Sequence, residues 1–280
     1  MTTLLMIPSL RHPDTARDYH EVLRRFHATL RSVCAQTAGD FRVVVVANTR
    51  TGLEDLPGSV EVLVTNLFPP KVSAGEAERV EAGMRDKDLK LNVGLLYSKP
   101  RPARWIYFFD ADDWVHRSLL EWIREEPETG GWYIPRGYLY REGSPFIVPY
   151  DRMHRVNGST HIIPWHVVDL PDLPWDSPSD RLGDALDLGI LKPWGRHRRL
   201  EAFCHQRGLT LKPLSQRAVV YVQGTGENLT DQTGAHYGRL FSKDLQQAFS
   251  VENVPFPRPG HIWEYGRELC QRGLRKLGRN

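Results

Sequence analysis

The sequence predicts an α/β fold, with a doubly wound, mainly parallel sheet and a smaller antiparallel region beside it, on three observations. The first half alternates short continuous apolar runs with long amphipathic stretches, the pattern of buried parallel strands joined by helices. The second half turns to short, aromatic, β-prone segments divided by Gly and Pro. Between them one apolar run, 105–109, ends abruptly in Asp110-Ala111-Asp112-Asp113. Open α/β sheets carry their ligand sites at such carboxyl ends, where the winding reverses.

Each element follows from its residues. Residues 3–7 form a short apolar strand and 8–13 the loop that leaves it. Tyr19, Val22, Leu23, Phe26, Leu30 and Val33 recur at steps of three and four, which predicts an amphipathic helix. Residues 41–47, with four consecutive valines, predict a second buried strand and 60–65 a third. A helix over 76–97 leads to the strand at 105–109, and a further helix is expected over 115–122, capped by Asp112 or Asp113. Strands are expected at 132–140, 146–155, 160–168 and 218–222, with helices at 180–188, 196–206, after Ala235 and over 263–276. No repeat or low-complexity linker interrupts the chain, so 1–280 reads as one domain with parts 1–120, 121–260 and a basic C-terminal helix at 261–280.

Composition narrows the class. The formal net charge of +3 is too small to imply nucleic-acid binding. Basic residues are nevertheless concentrated, first at Lys192, Arg196, Arg198, Arg199, Arg207, Lys212 and Arg217, then at Arg267, Arg272, Arg275, Lys276 and Arg279. Such runs are either solvated faces or contacts for an anionic acceptor or membrane surface. The three cysteines, Cys34, Cys204 and Cys270, have no metal-like or paired spacing and read as free thiols. Residues 1–10 lack a basic leader and a small-residue cleavage site, and no apolar stretch reaches spanning length. A cytoplasmic protein, peripheral at the inner face of the membrane through its basic C-terminus, is the expectation. Two glycosylation sequons, at Asn157 and Asn228, then have no role as acceptors.

The acidic run carries the chemistry. Asp110 and Asp112 alternate onto one side as the chain leaves the sheet, so both can offer oxygen to one hard divalent ion, Mn2+ or Mg2+. An ion held by two side chains keeps open positions that suit the phosphate oxygens of a nucleotide. A solvated turn is the alternative, but a single helix cap accounts for one aspartate and not three.

With D-x-D at Asp110 and Asp112, Ile7-Pro8 ending the first strand, Ser32, Gln36 and Thr37 closing the first helix and Phe41 opening the next strand, the chain resembles GT-A fold glycosyltransferases of the family 2 kind. The resemblance is good over 3–120 and loose beyond. It implies a GT-A type sheet, a nucleotide-binding half at 1–120 and an acceptor-side half at 121–260. It implies metal-dependent, non-processive transfer of one sugar from a nucleoside diphosphate sugar to a hydroxyl of a glycan or lipid-linked glycan. Donor contacts are implied at Pro8, Asn48, Asp86, Lys87, Lys90, Asp110, Ala111, Asp112 and Ser159, with the metal on Asp110 and Asp112. A lysine in the stretch 85–90 can act as a point charge against diphosphate, or the stretch is a solvated helical face. Asn157-Gly158-Ser159-Thr160 looks like the turn before the strand supporting the donor sugar, or is a plain hairpin turn. Gly195-Arg196-His197 and Gly224-Thr225-Gly226-Glu227-Asn228 resemble late segments that close over metal and diphosphate. Gln223 and Thr225 stand where a metal-binding histidine is expected, so His197 is the substitute ligand or proton carrier.

Departures from the pattern matter. The second strand ends in Ala47-Asn48-Thr49 where acidic residues are usual, and both the acceptor-side acidic pair and the Q-x-x-R-W element of processive synthases are missing. For an inverting reaction the general base is expected at Asp180, with Asp184 beside it and His197 as rival, unless Ser179 simply starts a helix whose first turn favours acids. A D-x-D phosphatase would carry its motif on the first strand, and a sugar-nucleotide pyrophosphorylase would open with a Gly-rich phosphate loop; 2–14 has no glycine. A catalytically silent carbohydrate- or nucleotide-sugar-binding protein remains the alternative.

Overall fold

A computed structural model describes residues 2–71, 75–126, 130–226 and 238–257. The helix expected over 263–276, the basic C-terminal cluster, Cys270, Glu227 and Asn228 lie outside these residues, whereas the helix expected after Ala235 is present as a short one at Lys243–Ala248. In chain order the elements are β1 (Leu4–Ser9), α1 (Tyr19–Cys34), β2 (Phe41–Ala47), β3 (Val60–Val64), α2 (Glu76–Ser98), β4 (Trp105–Asp110), β5 (Trp114–Val115), α3 (Leu119–Glu125) and β6 (Trp132–Tyr133). They continue as β7 (Gly137–Arg141), β8 (Phe146–Tyr150), β9 (His161–Pro164), α4 (Ser179–Asp187), α5 (Leu200–His205), β10 (Lys212–Pro213), β11 (Val219–Gln223), β12 (Arg239–Leu240) and α6 (Lys243–Ala248).

The fold is α/β with two sheets. The larger has the order β3-β2-β1-β4-β9-β6-β10, with β9 antiparallel to both its neighbours and the other pairings parallel. The chain winds outward from β1 to β3, then crosses back to place β4 on the other side of β1. Winding therefore reverses between β1 and β4. The smaller sheet, β12-β8-β7-β11-β5, is mixed, because β7 and β11 run parallel.

Both faces of the large sheet are covered, which is why its central strands are apolar on both sides except at Arg42 and at the ends Ser9 and Asp110. Leu4, Met6, Val43, Val45, Tyr107 and Phe109 pack with Phe26, Leu30 and Val33 of α1. Their neighbours Leu5, Ile7, Val44, Val46, Ile106 and Phe108 pack on the opposite face with Leu91 and Leu95 of α2. Gly94 lets α2 lie directly on β1, since a Cβ there would come 2.9 Å from Ile7 Cγ2. A third cluster joins the smaller sheet to α6 through Tyr138, Val220, Phe241 and Phe249. No helix among the described residues is long and apolar enough to cross a membrane.

Several boundaries differ from expectation: the strands expected over 146–155 and 160–168 end at Tyr150 and Pro164, with 3-10 turns at Met153–Arg155 and Trp165–Val167 after them, and three others differ for identifiable reasons. The helix expected over 115–122 starts at Leu119, because Val115 pairs with Val219 and its amide and carbonyl both bond Ser32 Oγ. The strand expected over 132–140 is two strands in different sheets, broken at Pro135, whose nitrogen has no hydrogen to give a ladder. The helix expected over 196–206 opens as one 3-10 turn at His197–Arg199 before α5.

Candidate functional site

The reversal of winding puts the ends of β1 and β4 side by side, in register Pro8 with Phe109 and Ser9 with Asp110. Here such a sheet leaves a crevice for a ligand. Ser9 Oγ donates to Asp110 Oδ1 at 3.1 Å, and the Lys87 ammonium, reaching across from α2, pairs with the same oxygen. Lys87 is therefore no solvated lysine.

The loop that follows β4 is held from below by α1. Thr29 Oγ1 donates to the Ala111 carbonyl at 3.0 Å, Ser32 Oγ to Val115 at 2.8 Å and Gln36 Nε2 to His116 at 3.0 Å. Gln36 Oε1 also accepts the Leu120 amide, and the Thr37 amide donates to the Arg117 carbonyl. The polar residues at the end of an otherwise apolar helix face thus fix the backbone that presents the aspartates.

A second turn fixes it from the side. Ser159 Oγ accepts the Asp110 amide at 2.9 Å and donates to Asp113, which also receives Asn157 Nδ2 and, at 3.3 Å, the Val222 amide. Asn157 Oδ1 accepts the Ser159 amide at 2.7 Å, and the Tyr107 hydroxyl donates to the Ser159 carbonyl at 2.9 Å. Gly158 lies against the cluster: a Cβ there would be 2.6 Å from Asp110 Oδ2 and 2.9 Å from Lys87 Nζ. Asp113, fully buried, caps no helix. It joins β4, the turn before β9 and β11.

The three carboxylates titrate differently. Burial pushes Asp110 up, but Lys87 and then His197 and Ser9 more than offset it, so its carboxyl ends below the usual value. Burial and the charge of Asp110 push Asp112 up to about 7. Burial and the two neighbouring carboxylates push Asp113 well above the carboxylate range, despite the donors from Ser159 and Asn157. Burial and Lys87 push His197 down to about 4 against the pull of Asp110, leaving a neutral imidazole whose Nε2 is buried without a hydrogen-bond partner.

Other expected site residues fall elsewhere. Lys90 is fully buried, donating to Asp86 and to the Leu10 carbonyl, both at 2.8 Å, so this pair belongs to the packing of α2 rather than to an open cleft. Asn48 donates to the Leu67 carbonyl at 3.0 Å. Asp180 is exposed in the first turn of α4 and accepts the Arg181 amide at 2.8 Å; it shares no hydrogen bond or ion pair with the aspartates. Gln223 and Thr225 are buried at the end of β11.

Among the described residues no three His, Cys, Asp or Glu side chains stand together at metal-binding spacing. Lys87 takes the place of a cation on Asp110. The chemistry of the donor set still suits a hard divalent ion. Burial and then the charge of Asp110 raise Asp112, and a neutral imidazole with a buried, unpartnered nitrogen lies near Asp110 and Lys87.

No protein-family model and no curated protein matches the chain. Solved structures do, at low similarity. The S. aureus TarS structure aligns at TM-score 0.42 and 12% identity over 79% of this chain and 37% of that one. TarS 1-349 in complex with UDP-GlcNAc aligns at 0.44 and 13% over 89% and 64%. The bifunctional IspDF from Campylobacter jejuni aligns at 0.37 and 9% over 91% and 55%. The chain thus spans less than two thirds of each of these structures.

Proposed function

We propose that this protein transfers a single sugar from a nucleoside diphosphate sugar to a hydroxyl acceptor, with the donor's diphosphate bound at Asp110 and Asp112. One observation carries the reading: paired carboxylates and an ammonium group meet at the carboxyl end of β4, beside β1, where the winding of the sheet reverses. Asp110 and Asp112 would hold a Mn2+ or Mg2+ ion, with His197 beside Asp110 as the candidate third ligand, although the three do not stand together at ligand spacing in this structure. When bound, that ion supplies positive charge to a departing diphosphate.

The chain's own residues do the rest. Ser9 and Ser159 orient Asp110 through its Oδ1 and its amide. Lys87 would turn from Asp110 to a phosphate oxygen as a second positive charge, a charge-assisted contact. Gly158 leaves space beside the carboxylate where any side chain would intrude. A glycan or lipid-linked glycan is the proposed acceptor.

A thermal-shift panel of UDP-, GDP- and dTDP-sugars with and without Mn2+, followed by assay of released nucleoside diphosphate, tests this. One donor class should raise the melting temperature only with Mn2+, since a ligand stabilises the state it binds, and should be turned over. Stabilisation without turnover would identify a silent binder. No stabilisation by any donor would refute the proposal.

A further inference from the structure

We propose that Asp88 is a positioning residue that holds the loop bearing His197 against α2, so that the imidazole stays beside Asp110. The inference deepens the functional reading above and rests on it for the use made of His197, but the placement itself is argued from packing.

Asp88 is 1% exposed and adjacent in sequence to Lys87. Its Oδ1 accepts the Gly195 amide at 2.6 Å, and its Oδ2 lies 3.6 Å from Arg196 Nε. The guanidinium of Arg196 reaches on to Glu81, two turns earlier on α2. One turn later Asn92 completes the clamp: its Nδ2 donates to the Lys192 carbonyl at 2.8 Å and its Oδ1 accepts Trp194 Nε1 at 3.1 Å. Gly195 is required by the closeness of this contact, since a Cβ would lie 2.9 Å from Asp88 Oδ1 and from the Lys87 stem. The loop is thus tied to α2 at 192, 194, 195 and 196, immediately before His197.

A clamp of this kind answers a specific cost. His197 Nε2 is buried without a hydrogen-bond partner, and burying an unsatisfied polar atom is unfavourable. A loop free to move would rotate the ring into water. It stays because its preceding residues are over-determined, the condition under which strained arrangements persist at functional sites.

Carbethoxylation of histidines by diethylpyrocarbonate, read by peptide mass spectrometry, measures this directly. His197 should be protected in the parent, with exposed His166 as the fast control and buried His161 as the slow one. Asp88→Ala should raise the His197 rate about tenfold or more through local opening, whereas Asp88→Asn, which keeps an acceptor for Gly195, should stay within about threefold of the parent. His161 should not change. Gly195→Ala provides a second variant and should deprotect His197 in the same way should Asp88→Ala fail to fold.

An unchanged His197 rate in these variants, or His161 and His197 rising together, would overturn the proposal in favour of a purely structural role. A Mn2+ titration by electron paramagnetic resonance separates the two layers. Loss of affinity in Asp88→Ala that His197→Ala reproduces supports the positioning of a ligand. Deprotection of His197 with Mn2+ affinity untouched by His197→Ala would leave the clamp standing and refute the ligand role.

Discussion

Two neighbouring aspartates should respond very unequally to truncation. Asp113 is fully buried and is the acceptor for Asn157 Nδ2, Ser159 Oγ and the Val222 amide. Asp113→Ala leaves these donors without their acceptor, at about 1–3 kcal/mol each. The Val222 contact is long, and removing a carboxyl that burial and its neighbours push toward the neutral form gives some of this back. The net loss should therefore be on the order of 3 kcal/mol, at the severe end for one substitution. Asp112 is half-buried and repelled by Asp110, so Asp112→Ala should cost less than about 1 kcal/mol. Equilibrium urea denaturation of both variants reads the difference as a shift of midpoint at constant slope. Equal losses would refute the division into a structural and a ligand-facing aspartate.

Three further outcomes are expected. Lys87→Ala should weaken donor binding in calorimetry by about 1.5–3 kcal/mol, whereas Lys90→Ala should leave donor binding alone and lower stability, since it breaks a buried ion pair; similar effects on binding would contradict the geometry. Burial and Arg117 push His116 down to about 4, and its Nδ1 accepts the Ser118 amide. At this residue the unfolded state binds more protons between pH 6.5 and 4, so His116 contributes stability that is lost as pH drops through that window, and the stability of the parent relative to His116→Gln should fall over it. Gly158→Ala should impair Mn2+ binding with little change in fold content by circular dichroism, because the added Cβ meets Asp110 Oδ2; intact Mn2+ affinity would show that the carboxylate is free to move away.

The large sheet was legible because its strands are continuous apolar runs, and because Asp110 breaks one of them where parallel sheets bind ligands. Ser32, Gln36 and Thr37 were legible as a pattern, but their task of holding the loop after β4 was not. Asp113 was read as a helix cap or one more acid of a run. Its partners lie 44, 46 and 109 residues away, beyond any local pattern. Strand alternation gave no signal here, since Ala111 and Asp112 form a turn closed by the Asp113 amide on the Asp110 carbonyl at 3.2 Å. Asp86, Asp88, Lys90 and Asn92 look like a solvated stretch by composition, yet all are buried. Asp88 and Asn92 find their partners in the loop at 192–196, which only the fold brings near, whereas Asp86 and Lys90 pair with each other one turn apart on α2. The expected base at Asp180 came from distance along the chain, which does not measure approach in space.

Binding of Mn2+ and of the nucleoside diphosphate that the donor panel selects to the parent and to Asp112→Asn, followed by electron paramagnetic resonance of free Mn2+, tests the central claim most directly. The parent should take up Mn2+, bind it more tightly with that nucleotide present, and lose the nucleotide when chelator is added. Asp112→Asn should keep its fold and lose at least about tenfold in Mn2+ affinity, as expected when a metal site is disturbed. Equal Mn2+ affinity in the two proteins, or nucleotide binding indifferent to chelator, would contradict the assignment of Asp110 and Asp112 as the metal and diphosphate site.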